Sequence, residues 1–276
     1  MPTNATKVFN SLTPDELRDY SPEDVAELKR LAEMVEGERI DTLCGEEKAS
    51  FDCGPLLWLT RYTKTENPQY EQQGLPFLSG FPRKEYFVYL FGAFLARHRR
   101  LYICKSRTMM TSWAAASFAT WSAQWKREET VIQTLNEDKA LHLIDYASQL
   151  LRNQDPGLAR LHPIKKQTAF SIEWKGGGAV DAIPGGADAS RSFHPSLFIQ
   201  DEAAHIPEGE ESMNTVIPSG ARIISISTAR PGWFADACGA SYPGPMEAVG
   251  EVPYLRAKAR DEYPYPIDRH NVEFPK

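Results

Sequence analysis

The sequence predicts an α/β fold, a mostly parallel sheet in three layers with helices on both faces. Two observations carry this expectation. From Leu101 to Thr228, apolar runs of strand length alternate with longer stretches at helical spacing. Three of those runs, beginning at Leu101, Ser196 and Ala221, each deliver polar side chains at their C-terminal ends. Open α/β sheets bind ligands at those ends.

The 276 residues suffice for one large or two small domains. A hydrophobic content of 42% with 25% charged residues is that of an ordinary globular chain. No apolar run reaches membrane-spanning length, and the first twenty residues lack a basic start followed by an apolar core. Cys44, Cys53, Cys104 and Cys238 form no C-x-x-C pair, so neither a zinc site nor a redox motif is indicated, and a reducing cytoplasm is expected. The net charge of −6 argues against broad nucleic-acid contact by this chain alone.

Residues 1–74 read as a helical and connector region. Thr13-Pro14-Asp15-Glu16 and Ser21-Pro22-Glu23-Asp24 are capped helix starts. Val25, Leu28, Leu31, Ala32 and Val35 then fall at helical spacing up to Gly37, as a packing element or a docking arm. Residues 38–80 read as a connector, apolar at Leu56–Leu59 and turn-rich from Asn67. Phe87 to His98 is an apolar helix closing on the basic cluster Arg97–Arg100.

Residues 75–240 form the main domain. Leu101–Cys104 is a buried strand, Lys105–Thr108 a polar turn, and Ala114–Lys126 a helix. Thr130–Leu135 is a strand, followed by a helix from Asn136 to about Leu151. Thr168–Trp174 and Gly178–Ile183 make a hairpin whose Gly-rich exit, Pro184–Asp188, is expected to be mobile. Ser196–Glu202 is a strand ending in two acids, a loop and helix follow from His205, and Ala221–Ala229 is the last strand. Residues 241–276 read as a partial linker subdomain or tail.

Strand, short turn, helix is the geometry that cradles phosphate, because a helix N-terminus presents unpaired N–H groups and the positive end of its dipole. The standard loop, G-x-x-x-x-G-K-[ST], is absent: both glycines are missing, and the Lys stands seven residues before Ser112. From there Lys105 reaches phosphates, and Thr111 or Ser112 holds Mg²⁺. The bland alternative is a solvated turn. Asp201 and Glu202 suit a metal-orienting acid and a water-activating acid, or simply cap the next helix. Ser227 and Thr228, with Ala229, stand where a γ-phosphate is sensed, or mark an ordinary strand exit.

Lys105-Ser106-Arg107 and Thr111-Ser112-Trp113 resemble the deviant phosphate loop, K-S-R-x-x-x-[ST]-[ST]-W, of large terminase subunits, the DNA-packaging motors of tailed bacteriophages. Those subunits also carry an apolar-Asp-Glu strand and a Ser-Thr-rich coupling strand. The resemblance spans about residues 75–240 by motif order. It implies a RecA-like P-loop NTPase fold and Mg²⁺-dependent ATP hydrolysis driving double-stranded DNA into a prohead. Lys105, Ser106, Arg107, Thr108, Met109, Met110, Thr111 and Ser112 would bind nucleotide. Ser112 and Asp201 would hold Mg²⁺, Glu202 would be catalytic, and Ser227, Thr228 and Ala229 would couple hydrolysis to movement.

The resemblance implies further that Arg191, between hairpin and acidic strand, is an arginine finger acting on a neighbouring subunit. Arg107 is the other candidate, and a surface salt bridge is the bland reading of each. Phe81, Arg83 and Tyr86 stand where terminases contact adenine, but the customary Gln is missing. The implied partners are DNA, the portal of the prohead, the small terminase subunit and further copies in a ring. The implied setting is the cytoplasm of an infected bacterium, without a membrane. Forty-seven residues follow the coupling strand, too few for a terminase nuclease domain, so no DNA cleavage is expected of this chain. A helicase-like ATPase, or a scaffold with a decayed loop, remains the alternative.

Overall fold

The computed structural model describes residues 21–43, 46–66, 78–107 and 109–240. The expected helix start at Thr13, the loop residue Thr108 and the tail 241–276 lie outside the described residues. Helix α1 (Pro22–Glu36) begins as its sequence dictates. The Ser21 hydroxyl accepts from the Asp24 N–H, the Asp24 carboxylate accepts from the Ser21 N–H, and Pro22 fills the first helical position. Leu28, Ala32 and Val35 are buried in the principal core, and the Trp121 indole donates to the Val35 carbonyl at 2.8 Å. The described helix is therefore a packing element.

A hairpin follows, β1 (Ile40–Leu43) with β2 (Glu46–Ala49). Next, α2 (Gly54–Leu57) runs into a π-turn at Trp58–Tyr62. Leu56, Leu57, Trp58 and Leu59 are all buried, so this part of the expected connector is core. The apolar pattern there was too short to declare itself a helix. β3 (Thr65–Glu66) and β4 (Leu78–Ser79) form a two-residue ladder. Helix α3 (Glu85–Leu95) is buried at every position from Tyr86 to Leu95, as a helix apolar on all sides must be.

The central unit begins with β5 (Arg100–Lys105) and α4 (Thr111–Lys126), then β6 (Glu129–Gln133) and α5 (Glu137–Arg152). Asn136 caps α5, its side chain accepting from the Lys139 N–H at 3.0 Å. After α6 (Pro156–Leu161) come β7 (Ile164–Gln167), β8 (Ser171–Trp174) and β9 (Ala179–Ile183). The sequence did not announce α6 or β7. β7 is exposed at all four positions and carries Lys165 and Lys166, so it has no alternation to read; lysines suit a sheet edge. Helix α7 (Ala187–Arg191), β10 (Leu197–Asp201), a 3-10 turn (Ala203–His205), α8 (Gly209–Val216), β11 (Arg222–Thr228) and α9 (Trp233–Ala240) complete the described chain.

Seven strands form one sheet in the order β5-β11-β10-β6-β9-β8-β7. The pairs from β5 to β9 are parallel, and β8 and β7 join antiparallel. This is the mixed, mostly parallel α/β architecture the sequence predicted. Register levels the functional ends: Thr228 pairs with Lys105, and Asp201 with Ile226.

The hairpin exit is not a free loop. The Gly186 N–H donates to the Pro207 carbonyl at 3.2 Å, and the Ala187 N–H to the Glu208 carboxylate at 3.1 Å. A Cβ at Gly185 would lie 2.8 Å from Pro207, so only glycine fits this close approach. Gly185 thus serves packing and Gly186 supplies a φ of 109°, purposes that composition does not distinguish from mobility.

A buried polar row crosses the sheet just below the acids. Ser225 donates to the Gln200 side-chain oxygen (2.8 Å), and Gln200 donates to Gln133 (3.1 Å) and to the Gly209 carbonyl (2.8 Å). Gln133 donates in turn to Ser212 at 3.0 Å. Gln200→Met would leave several of these groups without partners. It is expected to lower the unfolding free energy by about 2 kcal/mol in urea titration. A wild-type midpoint and slope in the variant would refute this account of the row. Among the described residues, no helix is long and apolar enough to cross a membrane.

Candidate functional site

The site lies at the C-terminal edge of the sheet, in front of the α4 N-terminus. β5 ends at Lys105, and the 16-residue helix α4 begins at Thr111. Met110, just before the helix, has φ 52°, a left-handed conformation that costs a non-glycine residue roughly 1 kcal/mol. A left-handed residue thus leads into the helix where a glycine is absent. The first N–H groups of α4 have no intrahelical partners and are available to an anion.

Two acids face this terminus. Asp201 ends β10 and is only 5% exposed. Burial pushes its carboxyl up to about 6; a hydrogen bond from Ser112 opposes this, the Glu202 charge adds to it, and the Lys105 ammonium lowers it. The Oδ1 atom of Asp201 is buried and has no hydrogen-bond partner. Glu202 sits at φ 59°, which turns its side chain across the site to the Lys105 ammonium, where the two form an ion pair. Burial would raise the Glu202 carboxyl, but the bond and charge of Lys105 outweigh it and hold it below the usual range. Lys105 itself is almost enclosed, with 8% of its side chain exposed.

The neighbouring strand closes the arrangement. The Thr228 hydroxyl lies 3.5 Å from Glu202 Oε2 and 3.2 Å from His205 Nε2, and Arg230 Nη1 lies 3.0 Å from His205 Nδ1. Ser227 is buried, and its hydroxyl accepts from the Ala204 N–H at 3.1 Å.

These groups surround a cavity of about 540 Å³. Of the residues singled out from sequence, Lys105, Arg107, Met109, Met110, Thr111, Ser112, Asp201, Glu202 and Thr228 line it. Ser106 is buried beneath the loop, Ser227 bonds to the turn after Glu202, and Ala229 is exposed just beyond β11.

Phe81, Arg83 and Tyr86 are not brought to the cavity. Phe81 is in the core, 5.1 Å from the Phe87 ring and 6.2 Å from Trp113. Arg83 stacks over Phe51 at 4.6 Å. Tyr86 donates to the Met109 carbonyl at 2.9 Å, bracing the loop from behind, and burial raises its phenol. Arg191 is likewise outside, exposed on α7 and ion-paired to Asp188 (2.6 Å) and Glu211 (3.2 Å).

Sequence reasoning missed Trp113 and Tyr146 as a wall, stacked at 4.0 Å and 16°, and missed Lys139 and His205. Lys139 and Tyr146 are two helical turns apart on α5, a spacing that could have flagged a shared face. His205 stands three residues after Glu202, where only the following 3-10 turn brings it back over the acid.

The solved structure of the large terminase of bacteriophage HK97 has a similar fold, with a TM-score of 0.52 at 13% identity. The chain thus shares its fold with phage large terminases. The match covers 72% of this chain and 42% of the HK97 chain, so the chain spans less than half the length of that protein. The large terminase ATPase domain of Thermus phage P74-26 also matches, at a TM-score of 0.42 and 17% identity, over 66% of this chain and 76% of that one. No family model and no curated protein sequence matches the chain. The seven-stranded, mostly parallel sheet flanked by helices agrees with the α/β expectation.

Proposed function

We propose that this chain is the ATPase motor of a viral DNA-packaging terminase, hydrolysing ATP with Mg²⁺ to translocate double-stranded DNA into a prohead. The observation that carries this reading is the convergence of Lys105, Ser112, Asp201 and Glu202 on one cavity before a helix N-terminus. The α4 amides and Lys105 bind the β- and γ-phosphates of ATP. Glu202 takes the proton of the attacking water, and Thr228 and Ser227 link its position to β11.

The residues present fit Mg²⁺. Asp201 Oδ1 is a buried acceptor without a partner, and the Ser112 hydroxyl adjoins the same carboxylate. Among the described residues there is no cluster of three or more His, Cys, Asp or Glu to hold a metal unaided. Ser112 and Asp201 would hold Mg²⁺ together with phosphate oxygens and water, as this small cation prefers. The bound ion would neutralise charge on the phosphates.

Arg107 at the cavity mouth is the finger candidate within the chain. Arg191 is the candidate for a neighbouring copy, and must leave Asp188 and Glu211 to serve. Assembly as a ring on a portal, with a small terminase subunit and DNA, follows from this reading. A helicase-like ATPase would use the same chemistry and would be stimulated by a DNA fork rather than by proheads.

The test is Mg²⁺-dependent ATP binding and turnover at high protein concentration. Lys105→Ala is expected to weaken ATP binding at least about tenfold, one charge-assisted contact, and to abolish turnover. A wild-type chain that binds no ATP with Mg²⁺, even beside DNA, would leave a non-catalytic scaffold as the reading.

A further inference from the structure

The hydrogen-bond chain behind Glu202 has a fixed direction. A guanidinium only donates, so Arg230 Nη1, 3.0 Å from His205 Nδ1, requires that nitrogen to accept. The neutral ring then carries its proton on Nε2, which donates to the Thr228 hydroxyl oxygen at 3.2 Å. With its oxygen taken, Thr228 turns its own proton to Glu202 Oε2, 3.5 Å away. The Thr228 N–H also bonds to the same carboxylate. Every donor in the series Arg230, His205, Thr228 points toward Glu202.

The other partner of Glu202 is Lys105, which ATP would claim. Once Lys105 turns to phosphate, Thr228 becomes the anchor of the Glu202 carboxylate among the contacts seen here. Its hydroxyl is aimed by His205. From this we infer that His205 is a positioning residue for hydrolysis: as the neutral Nε2–H tautomer it orients the Thr228 hydroxyl and so holds Glu202 for attack by water. This rests on the ATPase reading above and assigns a role to a residue that touches neither nucleotide nor metal in it. Arg230, on the exit from β11, sets the tautomer and ties the pose of the acid to the segment leading into α9.

The test compares kcat, the KM for ATP and melting temperature in wild type, His205→Ala, His205→Gln and His205→Asn. A glutamine amide can place an N–H near the position of Nε2, whereas asparagine reaches only that of Nδ1. The expected result is a fall in kcat of about tenfold for alanine and asparagine, the effect of one hydrogen bond, with KM within about twofold of wild type. Glutamine is expected to restore kcat to within about threefold. In a Thr228→Val background, His205→Ala should have no further effect on kcat, because the atom it aims is gone.

Wild-type kcat in His205→Ala overturns the inference. So does a loss that glutamine fails to rescue, or one that adds fully to that of Thr228→Val. These outcomes leave the ATPase reading intact if wild type turns over ATP and Glu202→Gln does not. If wild type neither binds nor hydrolyses ATP, both readings fall together.

Discussion

Glu202→Gln is expected to lower ATP turnover by about 10²- to 10⁴-fold while tightening ATP binding about tenfold. The two effects have opposite signs because Glu202 has two roles. As the base, it must accept a proton from water, which an amide cannot do. In the free protein it also holds the Lys105 ammonium, and that bond must be given up before Lys105 can meet phosphate. Removing the carboxylate charge releases Lys105 beforehand, so binding gains what the ion pair formerly opposed. Lys105→Ala should instead lose binding and turnover together. Single-turnover hydrolysis and a titration with a fluorescent ATP analogue, both with Mg²⁺, read the two effects separately. Normal turnover in the glutamine variant would remove Glu202 as the base. Unchanged or weaker binding would mean that the Lys105 contact does not compete with nucleotide.

The part of this site legible in the sequence is the part built from contiguous strand-to-loop motifs. Lys105, Asp201, Glu202 and Thr228 each lie at or just beyond a strand end, Ser112 opens the helix that follows β5, and parallel register brings the strand ends together without further information. The apolar runs likewise predicted β5, β6, β10 and β11. What failed to show depends on folding at a distance. Phe81 and Tyr86 stand where the resemblance places an adenine contact, but packing on Phe87 and the Met109 carbonyl uses them behind the loop. Trp113 and Tyr146 stack only because α4 and α5 cover the same face of the sheet. Met110 supplies the left-handed turn that a glycine would have advertised.

Opposed proton linkages are expected to make stability between pH 7 and 4.5 depend sharply on which of two buried groups is present. His162 is 6% exposed, with its ring 4.5 Å from Trp125; burial, then the Arg127 charge, pushes it down from 6.5 to about 4. The unfolded chain therefore takes up this proton first. The His162 contribution is whole above pH 6.5 and is lost as pH falls toward 4, by about 2–3 kcal/mol. Asp201 runs the other way, raised by burial from 3.8 to about 6. Its folded form binds the proton first, so stability is gained as pH falls through 6 toward 3.8, by about 2 kcal/mol at pH 4.5. The two nearly cancel in the wild-type chain. His162→Leu should therefore gain stability relative to wild type on going from pH 7 to 4.5, and Asp201→Asn should lose it. Urea unfolding of the three proteins in EDTA at both pH values measures this. Groups titrating in common drop out of the differences, and parallel pH profiles for all three would show that neither burial carries the cost assigned to it.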